Sequence, residues 1–212
     1  MDNKQNADFD DRVSLTLYHA SDHIVRPLDI LYPGPRTNCD FGPGFYLAEN
    51  KYTAEEWVVQ KKTPVINIYQ LAANKNDVLY LNGTDWLKVI VGFREMKYAI
   101  NFSSPIICGP IANDRMNDAL PIFIRGIIGD IRLIKCLDYC NLGNQYMLRV
   151  PSVDITHVDS YQLQGESLKA AVSRIQARRK RINQHIHTIY EEQQQGEKFF
   201  RHYLADGDYV ER

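Results

Sequence analysis

Net charge is almost absent from this sequence: 25 Lys and Arg against 26 Asp and Glu leave −1 at pH 7. No global field then draws the chain to nucleic acid or to an anionic membrane, and neither is expected as a partner. Long apolar runs are absent too; none approaches the ~18 residues a membrane helix needs. The opening stretch, Met1 to Asp11, is polar and acidic without an apolar h-region. A cleavable signal peptide is therefore not expected, although export by a route that leaves no cleaved signal stays compatible with it. Cysteine is scarce, at Cys39, Cys108, Cys136 and Cys140, with no C-x-x-C pair and no histidine at zinc-ligand spacing. That pattern excludes a disulfide framework and predicts no metal site. Four reduced, mostly buried thiols imply a cytosolic lifetime, in the producing cell or in another cell it enters.

The chain does have ample apolar content. At 212 residues and 44% hydrophobic it is long enough for one domain with a real core. Residues 1–11 read as a disordered tail. Val13 to Tyr18 alternates apolar and polar and predicts a strand. Residues 22–43 hold prolines and glycines throughout and predict a long ordered loop, a common place for function. Phe45 to Ala48 reads as a short strand. Thr53 to Lys62 reads as a helix, with Thr53 as N-cap and Glu56 completing a capping box. Val65–Leu71 and Asp77–Leu81 read as strands joined by an Asn/Lys turn.

A second helix is predicted over Thr84–Met96, with Trp86, Val89, Ile90 and Phe93 on one face. Pro105–Ile111 is an apolar strand, 118–142 is helical in two pieces broken near Gly129, and Gln145–Val150 and Asp154–Tyr161 are strands. From Glu166 to about Gln195 runs a long helix. Its stripe steps through Leu168, Val172, Ile175, Arg179, Ile182, Ile186 and Ile189. Strands and helices interleave without a strict βαβ rhythm. The fold class is therefore α+β, a mixed sheet split around a cleft. The domain is expected over 12–163, with 164–212 a helical extension packed on it, and the chain is expected to be a monomer.

Chemistry concentrates in two stretches. Tyr18-His19-Ala20-Ser21 ends the first strand. Asp40-Phe41-Gly42-Pro43-Gly44-Phe45-Tyr46 packs an acid, two glycines and three rings into one turn. Glycines let backbone approach a ligand, and rings beside such a turn can stack on a flat one. Asp40-Phe41-Gly42 is not a kinase motif, because no H-R-D-x-x-x-x-N precedes it and no V-A-I-K lysine is present. No G-x-x-x-x-G-K-[ST] occurs, which excludes a P-loop. Gly42-x-Gly44 leads into a strand rather than into a helix, which argues against a Rossmann turn.

Taken in order, these blocks resemble a bacterial family of the ADP-ribosyltransferase superfamily, one that includes effectors acting on ubiquitin. Its pattern runs Leu-Tyr-His-Gly-Ser, Gly-Arg, then Asp-Phe-Gly-x-Gly-Phe-Tyr. Here that is Tyr18 to Ser21, Arg36, and Asp40 to Tyr46. Ala54 and Trp57, then Trp86, Leu87 and Arg94, then Gly109-Pro110-Ile111-Ala112-Asn113-Asp114, then Gln145, follow in the family's order. The resemblance covers about residues 15–150 and stops short of the final helix.

It implies a split-sheet fold holding NAD in its cleft, with NAD a co-substrate and no metal. The expected activity is mono-ADP-ribosyl transfer to a protein side chain, which could be a hydroxyl of ubiquitin, by a toxin-like effector. By position, Tyr46 stacks on nicotinamide and His19 hydrogen-bonds a ribose hydroxyl. Tyr18, Ala20, Ser21, Phe41, Gly42, Gly44 and Phe45 line the site, Arg36 grips the pyrophosphate, and Asn113 and Asp114 border it. The later strand carries Gln145 where superfamily enzymes typically carry glutamate. An amide can orient a ribose but cannot act as a base. A carboxylate from Asp40, Asp114 or Glu166 is then expected to supply charge to the oxocarbenium-like state.

Each assignment has a plainer alternative. His19 and Tyr46 suit core packing, Arg36 a surface loop, Asn113 and Asp114 a helix cap. Glu166 suits a first-turn position favoured by the helix dipole. An NAD glycohydrolase and a non-catalytic NAD-binding module are the rival functions. The basic run Arg174, Arg178, Arg179, Lys180 and Arg181 reads as a solvated face, a protein-binding face or, least of all, a nucleic-acid contact.

Overall fold

A computed structural model describes residues 11–32, 39–96, 100–112, 118–192 and 195–205. The tail predicted over 1–11 lies outside these residues except for Asp11. Seven strands form one mixed sheet: β1 (Arg12–Ser21), β2 (Phe45–Ala48), β3 (Val65–Asn74), β4 (Val78–Tyr80), β5 (Ile106–Pro110), β6 (Asn144–Leu148) and β7 (Asp154–Gln162). Their order is β4-β5-β6-β2-β1-β3-β7, and only β4 and β5 pair in parallel. The helices are α1 (Lys51–Val58), α2 (Gly83–Val91), α3 (Ala119–Ile124), α4 (Asp130–Cys140), α5 (Gly165–Glu191) and α6 (Phe200–Ala205). The α+β class therefore holds, with a seven-stranded mixed sheet and a long helix near the C-terminus.

The joins between strands are unequal. β1 and β3 pair from Arg12↔Asn74 through Ser21↔Val65, and β2 pairs with β6 along its length. β1 and β2 meet at a single register pair, Tyr18↔Ala48. The sheet is continuous, but it parts at that seam.

Alternation along the strands gives each face its own core. On one face Leu17, Phe45, Leu47, Tyr69, Leu71, Tyr146 and Leu148 pack under Val25, Ile30 and Tyr32 of the loop after β1. On the other face Ile107 and Met147 pack against Trp86, Ile90, Phe123 and Leu133 of α2, α3 and α4. Ala48, Ile66 and Ala54 form a smaller cluster there with Ala171 of α5. Ile182, Ile186 and Ile189 seal α5 onto the larger of these cores. Each such isoleucine stabilises the folded state by roughly 1.5–3 kcal/mol.

Several boundaries differ from the sequence expectation. Helix α1 starts at Asn50, whose side chain accepts from Tyr52 N, so Thr53 is not the cap. The Thr53 hydroxyl instead donates to Leu142 O at 2.7 Å. Helix α2 ends at Val91, and the chain passes into a π-turn over Gly92–Met96. β3 and β4 follow one another in sequence yet do not pair, because β4 adds beside β5 at the other end of the strand order. On α5 the buried stripe runs through Ala171 rather than Val172, which is exposed, and Arg179 points to solvent.

The basic run on α5 is partly internal. Arg174 pairs with Glu55, and Arg178 with Glu56 at 2.6 Å, both carboxylates lying on α1. Tyr161 of β7 also donates to Glu55 at 2.9 Å. Arg179, Lys180 and Arg181 are exposed. Among the described residues no helix is long and apolar enough to cross a membrane.

Candidate functional site

The seam between β1 and β2 is where the sequence-predicted residues gather. Beyond the Tyr18↔Ala48 pair, Tyr46 has no β1 residue opposite it. Its carbonyl accepts instead from the His19 ring, Nδ1 to O at 2.8 Å. A carbonyl can only accept, so Nδ1 carries the proton. In the neutral ring Nε2 is then an acceptor, the tautomer that suits a hydroxyl donor. The ring stacks on Phe45 with centroids 4.3 Å apart, which fixes its plane. His19 is half-buried, so its outer edge reaches the surface.

Ser21 and the loop after β1 are tied down beside it. Asn67, fully buried on β3 opposite His19, accepts from Val25 N at 2.9 Å through its side-chain oxygen. Its amide donates to Ser21 Oγ at 2.9 Å and to His23 O at 3.2 Å. The Ser21 hydroxyl itself donates to His23 O. Ser21 thus serves first as a loop anchor. Tyr18 and Ala20, expected to touch a ligand, face the opposite side and pack with Ala48, Ala54 and Leu163.

The turn before β2 is held from within. Tyr46 Oη donates to Gly42 O at 2.6 Å and accepts from Phe41 N at 3.0 Å. Burial pushes its phenol far above the ordinary tyrosine range, so it stays neutral. Alternation places the Tyr46 ring on the helical face, half-buried and stacked at 6.4 Å on Phe41. The ring that stacks on His19 is therefore Phe45 and not Tyr46. Phe41 is 1% exposed and belongs to the core rather than to a ligand wall. Gly42 has φ +82, and a Cβ there would meet Phe93 Cε1 at 2.5 Å. At Gly44 a Cβ would lie 2.9 Å from Leu148 O. Close packing at both positions, and the positive φ at Gly42, favour glycine.

Behind this turn lies a buried polar cluster. Asp40, 5% exposed, accepts from Gln145 Nε2 at 2.5 Å and from Ala112 N at 3.2 Å through Oδ2, and pairs with Arg94 through Oδ1. Arg94, on the π-turn, also donates to Ala112 O at 2.8 Å. Gln145 donates more weakly to Pro110 O at 3.4 Å, which also accepts from Trp86 Nε1 at 2.9 Å. The cluster unites Asp40 and Gln145, but Arg94 balances the carboxylate. Asp40 as placed is a structural counter-ion rather than a free negative charge.

Glu166 is not brought to this region. Its side chain is 89% exposed at the start of α5 and pairs with Lys169 at 2.8 Å. Arg36, Asn113 and Asp114 lie outside the described residues. Sequence reasoning gave no role to Asn67, and Arg94 entered only as a pattern residue. An asparagine inside an apolar strand was the available signal for the first. The second could not be paired with Asp40 from sequence, because the two are 54 positions apart.

Two hollows, of about 250 and 430 Å³, lie elsewhere on the surface. Among the described residues no group of His, Cys, Asp and Glu could hold a metal. Of the four cysteines, Cys39 is half-buried and Cys108, Cys136 and Cys140 are buried. A family model described as "Protein of unknown function (DUF3990)" matches residues 15–155, which includes the seam, the turn and the polar cluster. No curated protein and no solved structure matches the chain.

Proposed function

This chain belongs to the DUF3990 family, and from its site we propose an NAD-dependent mono-ADP-ribosyltransferase that modifies a protein side chain. The observation that carries this reading is the histidine locked at the parted seam. His19 holds its ring, stacked on Phe45, where β1 and β2 meet at a single register pair, a place suited to a flat ligand. Nicotinamide in NAD is a flat cation, and aromatic faces attract it by roughly 0.5–2 kcal/mol. His19 Nε2 takes a hydrogen bond from a ribose hydroxyl.

In the reaction the glycosidic C1′–N bond breaks and its electron pair leaves with neutral nicotinamide. An acceptor oxygen then bonds to C1′, and its proton passes to solvent. Gln145 contributes an oriented amide, not a base. Metal and further cofactors have no part in this reading. A hydroxyl side chain is the proposed acceptor, and ubiquitin is a candidate target for a toxin-like effector in the cytoplasm of the producing or a target cell.

The second reading, an NAD-binding module without turnover, draws on one observation. Among the described residues, the carboxylate that accepts from Gln145 is Asp40, and Arg94 pairs with it. Incubation with labelled NAD and with bacterial and eukaryotic lysates separates the readings. Label on protein supports transfer, nicotinamide release without label supports glycohydrolysis, and NAD binding without release supports the module.

A further inference from the structure

We propose that His23, oriented by Asp22, is the catalytic base that takes the acceptor's proton at the mouth of the β1–β2 seam. The proposal rests on the transferase reading above, in which that proton has no named recipient in the protein. The strands run antiparallel from Tyr18↔Ala48, so β2 heads back toward Phe45 as β1 heads on toward Ser21. Among the described residues no further register pair joins them. The seam is therefore open at its Ser21 end, and Asp22 and His23 are the next two residues.

Asn67 holds His23 on the face that carries His19. The two residues stand directly opposite across β3 and β1, and residues so paired share a face of the sheet. The buried Asn67 amide donates to His23 O at 3.2 Å, and the Ser21 hydroxyl donates to the same oxygen. Two residues on, Val25 donates to Asn67 Oδ1 at 2.9 Å and accepts from Tyr69 Oη. One strand spacing and one asparagine side chain put the His23 carbonyl at most roughly 12 Å from the His19 main chain. One substrate can meet both imidazoles across that distance.

The ring is set from its other end. Asp22 Oδ1 accepts from His23 Nδ1 at 2.6 Å. A carboxylate only accepts, so Nδ1 carries the proton and Nε2 keeps a lone pair. The same bond holds the Asp22 carboxyl below its usual range. With 69% of its side chain exposed, His23 owes this orientation to no core contact. A base oriented by a carboxylate, with its second nitrogen open to solvent, can take a proton from a hydroxyl.

The two histidines then divide the work. His19 Nε2 holds the donor ribose, and His23 Nε2 serves the acceptor. As the acceptor oxygen bonds to C1′, its proton moves to His23 Nε2. The C1′–N electron pair leaves with nicotinamide, which becomes neutral. The imidazolium, balanced by Asp22, passes its proton to water.

The test compares acceptors with and without a proton to lose. Nicotinamide release from NAD in plain buffer uses water, which must lose one, whereas azide anion has none. In His23→Gln, release in buffer should fall about a hundredfold, the scale of a positioned base. Sodium azide should then raise the variant's rate about tenfold or more, with ADP-ribosyl azide as product. Asp22→Asn keeps an acceptor for Nδ1 but removes the charge opposite the imidazolium, and should fall about tenfold in buffer. Both variants leave the bonds to His23 O in place, so their urea midpoints should match wild type.

Release by His23→Gln equal to wild type overturns the base. So does a loss that azide does not relieve, because a merely structural residue would slow both acceptors alike. Wild-type protein that releases no nicotinamide overturns the transferase reading itself, and the base with it.

Discussion

His19 Nδ1 lies 2.8 Å from the carbonyl oxygen of Tyr46, so a side chain of β1 makes the hydrogen bond that a β1 amide would make if the strands stayed paired. The bond does two things at once. It satisfies a main-chain acceptor at an open seam, and it sets the imidazole tautomer. The two functions are separable by substitution.

Asparagine can place an amide near the Nδ1 position but has nothing at Nε2. His19→Asn should keep the seam bond, and with it stability to within about 0.5 kcal/mol, while NAD cleavage is lost. His19→Ala should lose both, with a stability cost of about 1–2 kcal/mol from the unpaired carbonyl and lost packing on Phe45. Urea titration of the two variants beside nicotinamide release checks the split.

Removing Arg94 while keeping Asp40 leaves a buried carboxylate without its cation. Arg94→Met should destabilise by about 3 kcal/mol. Combining it with Asp40→Asn should return part of that, because the uncompensated charge is gone. Additive losses in denaturant titrations would contradict the coupling.

At Gly44 an added Cβ would run into the Met147 side chain and stand 2.9 Å from Leu148 O, and the backbone oxygen cannot swing away. Gly44→Ala should cost about 1–3 kcal/mol by overpacking. A denaturation midpoint equal to wild type would contradict the packing account.

Much of the fold was legible from local pattern. The first part of β1 and the break between α3 and α4 follow from the alternation over Val13–Tyr18 and from Gly129. What was not legible depends on residues far apart in sequence. The Thr53-x-x-Glu56 capping box is real as a pattern, yet Asn50 caps α1 because Thr53 is needed by Leu142 O. β1 runs on to Ser21 because β3 pairs with it there, although His19-Ala20-Ser21 carries no alternating apolar signal. The histidine and the Gly-aromatic turn were visible as a candidate site, and the structure brings them together. That the His19 ring stacks on Phe45 depends on strand phase across a seam. That Gln145 spends its amide on Asp40 depends on a contact 105 residues long. Neither spacing is encoded in any single stretch.

The thiols offer a prediction in pH. Burial pushes Cys108 and Cys140 up to about 11 and Cys136 up to about 12, so all three stay protonated at pH 8. Cys39 is half-buried instead. A thiol reagent at pH 8 should modify native protein at Cys39 first and reach the other three only in denaturant. Rapid reaction of all four in the native state would contradict the burial.

Glu56 gives a sign that stability measurements can read. Burial on α1 raises its carboxyl above 4.5, against the opposing pull of Arg178 and its neighbours. The folded state then holds its proton to higher pH than the unfolded chain does. Its contribution is fully present below the unfolded value and declines as pH rises through the folded one. Glu56→Gln should remove that decline, so the variant should lose less stability than wild type between pH 4 and pH 7. An identical profile in the two proteins would contradict it.

The central claim is that the β1–β2 seam cleaves NAD through His19. The most direct measurement is the rate of nicotinamide release from NAD by wild-type protein and by His19→Asn, at matched concentration and with folding of both verified. Release by wild type, reduced about a hundredfold or more in a folded His19→Asn, is the predicted result. No release by wild type, or equal release by both, would contradict it.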